Sequence, residues 1–196
     1  TRTLLLITDS AALHAVVHDS TADTYGTVVL VRTATMAVEN KAQAALVAAD
    51  KVLCISVNST TGLEAVVLTI SGTTVTVGTA ATATLAGDVV SSSWGPLVTV
   101  GTSYVILYGR GGRAGLRAVT VSGTTATIGA ELVLPGTSVY QAAVGVDSTT
   151  LLTLSFSANI WAFWQSVTVS GTTLTAGTPH GVDCDANAQY SPKLTA

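Results

Sequence analysis

Charge is scarce in this sequence. Only 10% of its 196 residues are Asp, Glu, Lys or Arg, and the formal net charge is −3. No basic cluster occurs along the chain, which excludes the phosphate-neutralising surface that nucleic-acid binding needs. Long hydrophobic runs are missing too, and none approaches the roughly 18 residues of a membrane helix. The first residues lack the charged and apolar regions of a secretory signal. The chain opens on Thr1 rather than Met, and is read as a processed product or a piece of something longer. Cysteine is nearly absent: Cys54 and Cys184 stand far apart. Cys54 lies inside the apolar run KVLCISV (51–57), where a free buried thiol is expected, and a disulfide between the two is disfavoured. Acidic residues are few and scattered, so no carboxylate pair for glycoside hydrolysis stands out. There is no G-x-S-x-G elbow and no strand-to-helix setting for one. The chain is read as non-enzymatic, with no cofactor and no metal.

What is present points to strands. Hydrophobic residues make up 48% of the chain, mostly Val, Ala, Leu and Ile, and Thr is abundant. Such β-branched side chains fit a pleated surface, and so apolar a chain is not disordered. One string recurs three times: LTISGTTVTVG from Leu68, VTVSGTTATIG from Val119 and VTVSGTTLTAG from Val167. In each, SGTT separates two runs of period 2, the signature of a tight hairpin with Gly supplying a positive φ. Ser71-Gly72, Ser122-Gly123 and Ser170-Gly171 are the expected two-residue loops.

Upstream of each hairpin lie two further alternating runs, so the repeating unit is four strands, a to d, joined by short turns. The first unit fits without an SGTT: a is LLLIT (4–8), b LHAVVHD (13–19), c GTVVLVR (26–32), and a short d lies near 34–39. Tandem four-stranded antiparallel meanders of this period read as β-propeller blades, with strand a lining a central channel. The expected fold is therefore all-β and β-propeller-like, a single domain with blades at about 1–42, 43–93, 94–139 and 140–188. YSPKLTA (190–196) matches WGPLVTV (94–100), so residues 189–196 read as the first strand of another blade and the whole as part of a larger propeller. A β-sandwich with coincidentally similar hairpins is the weaker choice.

The unit resembles tandem β-propeller repeats of bacteriophage virion and tail-associated proteins, on Val52 and Leu53, Thr69 to Gly78, and Tyr190 to Leu194. The resemblance covers residues 43–196 well and 1–42 loosely. It implies a virion or extracellular structural or host-adhesion module whose partners are other virion or assembly subunits. The alternative is a carbohydrate-binding propeller lectin, with a cell-surface glycan as partner. A glycan-cleaving propeller would need a carboxylate cluster that the sequence does not show.

Aligning the units places Arg2, Gln43, Trp94, Tyr140 and Tyr190 at one position, the start of strand a. They are expected to ring one mouth of the channel, where aromatic rings stack on sugars or wedge between blades. NIWAFWQ (159–165) puts Trp161, Phe163 and Gln165 on one strand face and Ala162 and Trp164 on the other. Core packing of both tryptophans is favoured, although an exposed one would suit carbohydrate or protein contact. GRGGR (109–113) lacks the Lys-Ser/Thr and helix of a phosphate loop and reads as a hairpin. HGVDCD (180–185) gathers His180, Asp183, Cys184 and Asp185 without a matching partner elsewhere. His14 and His18 share a strand face about 13 Å apart, too far to hold one metal. NST (58–60) is a glycosylation sequon only in a secreted eukaryotic setting.

Overall fold

The computed structural model describes residues 1–8, 12–33, 42–58, 62–85, 94–110, 113–134, 141–157 and 161–183. Among them the chain is all-β: four antiparallel sheets follow one another in tandem, propeller-like, with no helix. It divides into two compact units, Thr1–Thr84 with Val121–Ala126, and Leu85–Thr120 with Thr127–Ala196.

Unit one holds two sheets. The first is β1 (Arg2–Thr8), β2 (Ala12–Asp19) and β3 (Thr24–Tyr25) in that order, with β4 (Val29–Thr33) also on β2. The second runs β5 (Ala42–Ala48), β6 (Lys51–Asn58), β7 (Gly62–Ser71), β8 (Thr74–Val77), with β9 (Ala81–Ala83) on β7. Alternation along β2 and β7 sends Leu13, Ala15 and Val17 from one sheet and Val66 and Leu68 from the other into a shared core with Cys54 and Val75.

Unit two repeats the plan. Its first sheet runs β10 (Trp94–Val100), β11 (Ser103–Arg110), β12 (Arg113–Ser122), β13 (Thr125–Ile128), with β14 (Leu132–Val133) on β12. The other runs β15 (Gln141–Gly145), β16 (Thr150–Ser157), β17 (Trp161–Ser170), β18 (Thr173–Ala176), with β19 (His180–Asp183) on β17. Val105, Leu107, Leu116 and Ala118 pack with Leu151, Val167 and Val169 in a second core.

The SGTT strings are hairpins, displaced by one residue from expectation. Ser71 pairs with Thr74 and Ser170 with Thr173, so each serine ends its strand and the loop is Gly-Thr. Gly72, Gly123 and Gly171 have φ of 60°, 62° and 57°. A type II′ turn requires positive φ at its first central position, so glycine takes that place and serine falls back into the ladder.

A second repeated device is invisible in the string. In every sheet the outer strand is interrupted. Leu68 faces Val77 and Ala65 faces Ala81, so three steps along β7 answer to four along its partner. The same excess of one residue separates His18–Tyr25 from Ala15–Val29 and Val167–Ala176 from Trp164–His180. Each break is a β-bulge that begins at a glycine. Gly26, Gly78, Gly129 and Gly177 donate their N–H groups to the carbonyls of Val17, Val67, Ala118 and Ser166 at 2.8–2.9 Å. At Gly26 a Cβ would collide with the Thr73 carbonyl, and at Gly129 with the Thr172 carbonyl. These two bulges are where the next sheet's hairpin turn rests.

The bulge corrects the alignment of the first sheet. Since β2 carries the bulged outer strand, it matches β7, β12 and β17, and β1 matches β6, β11 and β16. LLLIT (4–8) is therefore the second strand of its unit, LHAVVHD (13–19) the third, and 26–28 is the bulge rather than strand. Period-2 alternation marks a strand without saying which strand it is. The fourth strand expected near 34–39 and the extra inner strand at 189–196 lie outside the described residues.

Candidate functional site

Within the channel-mouth set, the strand register moves Arg2. Arg2 pairs across from Asp19, the position that Lys51, Ser103 and Thr150 occupy in the other sheets, so it is not equivalent to Gln43. Its exposed guanidinium lies 3.7 Å from the half-buried Asp19 carboxylate. Gln43 lies on β5 opposite Ile55, and Trp94 opens β10 opposite Tyr108. Tyr140 and Tyr190 lie outside the described residues.

A different aromatic stands out. Trp164 on β17 is 41% exposed, contrary to the expectation that it packs in the core. It faces His180 on β19, and the two rings stack with centroids 4.2 Å apart and planes 17° from parallel. The bulge makes this pairing: its extra residue brings His180, in place of Pro179, opposite Trp164. Two bonds hold the bulge, Gly177 N–H to the Ser166 carbonyl at 2.8 Å and the Gln165 amide to the Gly177 carbonyl at 3.1 Å. Gln165 points to the other face and is buried, its own carbonyl accepting from Thr153 Oγ1 at 3.1 Å. On the Trp164 face, half-buried Leu154 and Leu152 sit opposite Trp164 and Ser166, and Ser166 is exposed. The result is an open aromatic and aliphatic platform edged by a hydroxyl and an imidazole.

Within the same unit, Leu116 and Leu132 occupy the registers of Trp164 and His180, and both join the core. Strand alternation in the sequence separates Trp164 from Gln165. It does not tell which face is covered, and that decides exposure. A second stack joins His18 to the exposed Tyr25, centroids 4.5 Å apart, with His18 Nε2 3.2 Å from Asp23.

Two buried polar clusters have a structural character. Arg32 donates to Ser56 Oγ at 2.7 Å and lies 3.0 Å from Glu64. Burial, then the Glu64 charge, pushes the neighbouring Cys54 thiol up to about 12, so it stays protonated. In the third sheet the Tyr108 hydroxyl donates to Glu131 at 2.8 Å and accepts from Arg117 Nε at 3.1 Å, while Arg117 also caps the Gly129 carbonyl. Tyr108 is fully buried, and burial followed by the Glu131 hydrogen bond raises its hydroxyl well above the usual range. A phenol so protected is not an activated nucleophile. Arg110 and Arg113 of GRGGR face each other across a hairpin, as expected. Among the described residues no three His, Cys, Asp or Glu side chains gather to hold a metal, and no helix is long and apolar enough to cross a membrane.

No protein-family model matches the chain, and no curated protein does. Among solved structures the chain is similar to a mutant of NanB sialidase from Streptococcus pneumoniae. The TM-score is 0.53 at 10% identity, over 89% of this chain and 29% of that one. A mutant of the Aleuria aurantia lectin in complex with α-methyl-L-fucoside superposes with a TM-score of 0.45 at 11% identity, over 91% of this chain and 55% of that one. The chain thus spans under a third of the sialidase and about half of the lectin. At such identities the likeness to the sialidase is one of fold.

Proposed function

We propose that this chain is a carbohydrate-binding propeller module without catalytic activity, and that its fourth sheet carries a sugar site on Trp164 and His180. The observation that supports it is the exposed indole stacked on an imidazole at a register where the neighbouring sheet has a buried leucine, Leu116, and a partly buried one, Leu132, packed into the core. An indole face takes the C–H face of a pyranose, and a polar edge orients it. The His180 ring and the Ser166 hydroxyl supply donors and acceptors for the sugar hydroxyls. The similar structures include proteins titled as a sialidase and a fucoside-bound lectin, so a sialoside and a fucoside are the first probes. The virion-assembly reading rests on the repeat resemblance alone, and no described feature adds to it.

Titration calorimetry with both glycosides tests the site. A single small platform is expected to bind on the order of 1 mM, about −4 kcal/mol. Trp164→Ala should weaken binding by about tenfold or more, roughly 1.4 kcal/mol, and Tyr25→Ala should leave it unchanged. Unchanged binding in Trp164→Ala, or loss in Tyr25→Ala instead, overturns the assignment. A glycan array on which nothing is retained overturns the function.

A further inference from the structure

We propose that the ligand of the Trp164 platform is an uncharged glycan chain lying along β17 from Trp164 to Ser170; the inference rests on the carbohydrate reading above. On that strand Trp164, Ser166, Thr168 and Ser170 alternate with buried neighbours, and all four are exposed. The register sets Thr175 beside Thr168 and Thr173 beside Ser170, and both are exposed too. Residues directly opposite in a ladder share a sheet face, so the indole is continued by a track of hydroxyls. At roughly 3.3 Å per residue the row from Trp164 to Ser170 is about 20 Å long, enough for several linked pyranose rings.

The second and third sheets lack such a face. In the registers of Trp164 and Ser166 the second sheet has Ala65 and Val67, and the third has Leu116 and Ala118, all fully buried. The residues opposite follow suit: Ile55, Leu53, Leu107 and Val105 are fully buried, whereas Leu154 and Leu152 are half-buried. A hydroxyl buried without a partner costs free energy, so Ser166 suits a face that meets water or sugar. Each hydroxyl donates one hydrogen bond and accepts others, as the hydroxyls of a sugar do.

Charge sets the class of glycan. From Ala118 to Pro192 the sequence has no Lys or Arg, so the whole fourth sheet has none. Arg117 on β12 is engaged by the Tyr108 hydroxyl and the Gly129 carbonyl. A sialic or uronic acid carboxylate on this face would lose water without gaining an ammonium or guanidinium partner. The track is also held in place. Ser103 Oγ donates to the Gly171 carbonyl at 2.9 Å at its hairpin end, and the Gly177 bulge fixes its middle. On such a surface each added sugar gains contacts with little further ordering of the protein.

The test is titration calorimetry with cello-, malto- and manno-oligosaccharides from single sugars to hexasaccharides, with oligogalacturonides as the charged probe. In at least one neutral series affinity should rise at least tenfold from the single sugar to the tetrasaccharide. Oligogalacturonides should bind at least tenfold more weakly than neutral chains of equal length. Thr168→Val with Thr175→Val should cancel the gain with length and leave the single sugar unchanged, whereas Trp164→Ala should weaken both. Circular dichroism of each variant checks that the fold persists. Single sugars and tetrasaccharides of equal affinity overturn the extended track and leave the sugar platform standing. A length gain that survives the double variant, or a fucoside bound where no neutral chain is, does the same. Charged chains bound as tightly as neutral ones overturn the uncharged class. A protein that binds none of these probes, the fucoside included, overturns this inference together with the reading it rests on.

Discussion

The first and second sheets follow one strand plan and share one core, yet they are buried very differently. On β6, Val52 through Ser56 are all buried, whereas β1 alternates between exposed and half-buried from Thr3 to Thr8. Both strands are apolar and both ladder onto a bulge-bearing neighbour. The difference is the flanking strand β5, which β6 has and β1 lacks among the described residues. Burial along a strand is thus set by its place in the sheet as much as by its own sequence.

The largest test of this contrast lies where the two sheets are tied. Arg32 of β4 and Glu64 of β7 form an ion pair with little solvent access, their side chains 4% and 14% exposed. Glu64→Ala takes the countercharge from a buried guanidinium that keeps its Ser56 hydrogen bond, and should cost about 3 kcal/mol in urea unfolding. Replacing both with Leu and Met should cost far less. Equal costs for the single and double replacements would show that the pair does not couple the sheets.

Next come Leu53 and Leu4, which occupy the same register on β6 and β1. Leu53 is fully buried, and Leu53→Ala should cost about 2–5 kcal/mol. Half-buried Leu4 should cost about half as much in the same measurement. Equal losses would mean that β1 is covered in solution as β6 is.

A smaller effect separates the bulge glycines. Gly26→Ala forces a methyl against the Thr73 carbonyl and should cost about 1–3 kcal/mol. Gly177 is exposed, and its Cβ would meet chiefly the Ser166 hydroxyl, which can swing away. Gly177→Ala should therefore shift the melting temperature less than Gly26→Ala.

The smallest effect is electrostatic. The Thr21 backbone N–H, bonded to Asp19 at 2.9 Å, is the largest cause holding the Asp19 carboxyl below its ordinary 3.8. A carboxyl depressed in the folded chain stabilises above its unfolded value and loses that contribution as pH falls through the folded one. Asp19→Asn should lower the melting temperature slightly at pH 7. The gap from wild type should close below pH 3.8. A gap that widens on acidification contradicts the assignment.

Much of this fold was legible in the residues. The SGTT repeats marked three hairpins because a type II′ turn demands glycine at one place, and that demand is written in the sequence. The first sheet was misaligned by one strand because its turn, Ser20–Asp23, reaches positive φ with Asp23 instead. The glycine closing each first outer piece, as in TYG (24–26) and TVG (76–78), would have fixed it, but an isolated glycine after an alternating run reads equally as a turn. Trp164 was misjudged for another reason. Alternation separates two faces, and only the packing of a whole sheet decides which of them meets solvent.

The meander itself has a consequence in time. Among the described residues every strand pairs only with a sequence neighbour or, across the bulge, with the strand before that. The widest pairing in the fourth sheet, Trp161 with Asp183, closes within that sheet's own stretch of chain. For an all-β protein such contacts are local, which favours rapid folding. A nascent chain can finish each sheet before the next has been synthesised, and the second sheet's hairpin then settles on a Gly26 bulge already in place. Order along the polypeptide becomes order of assembly.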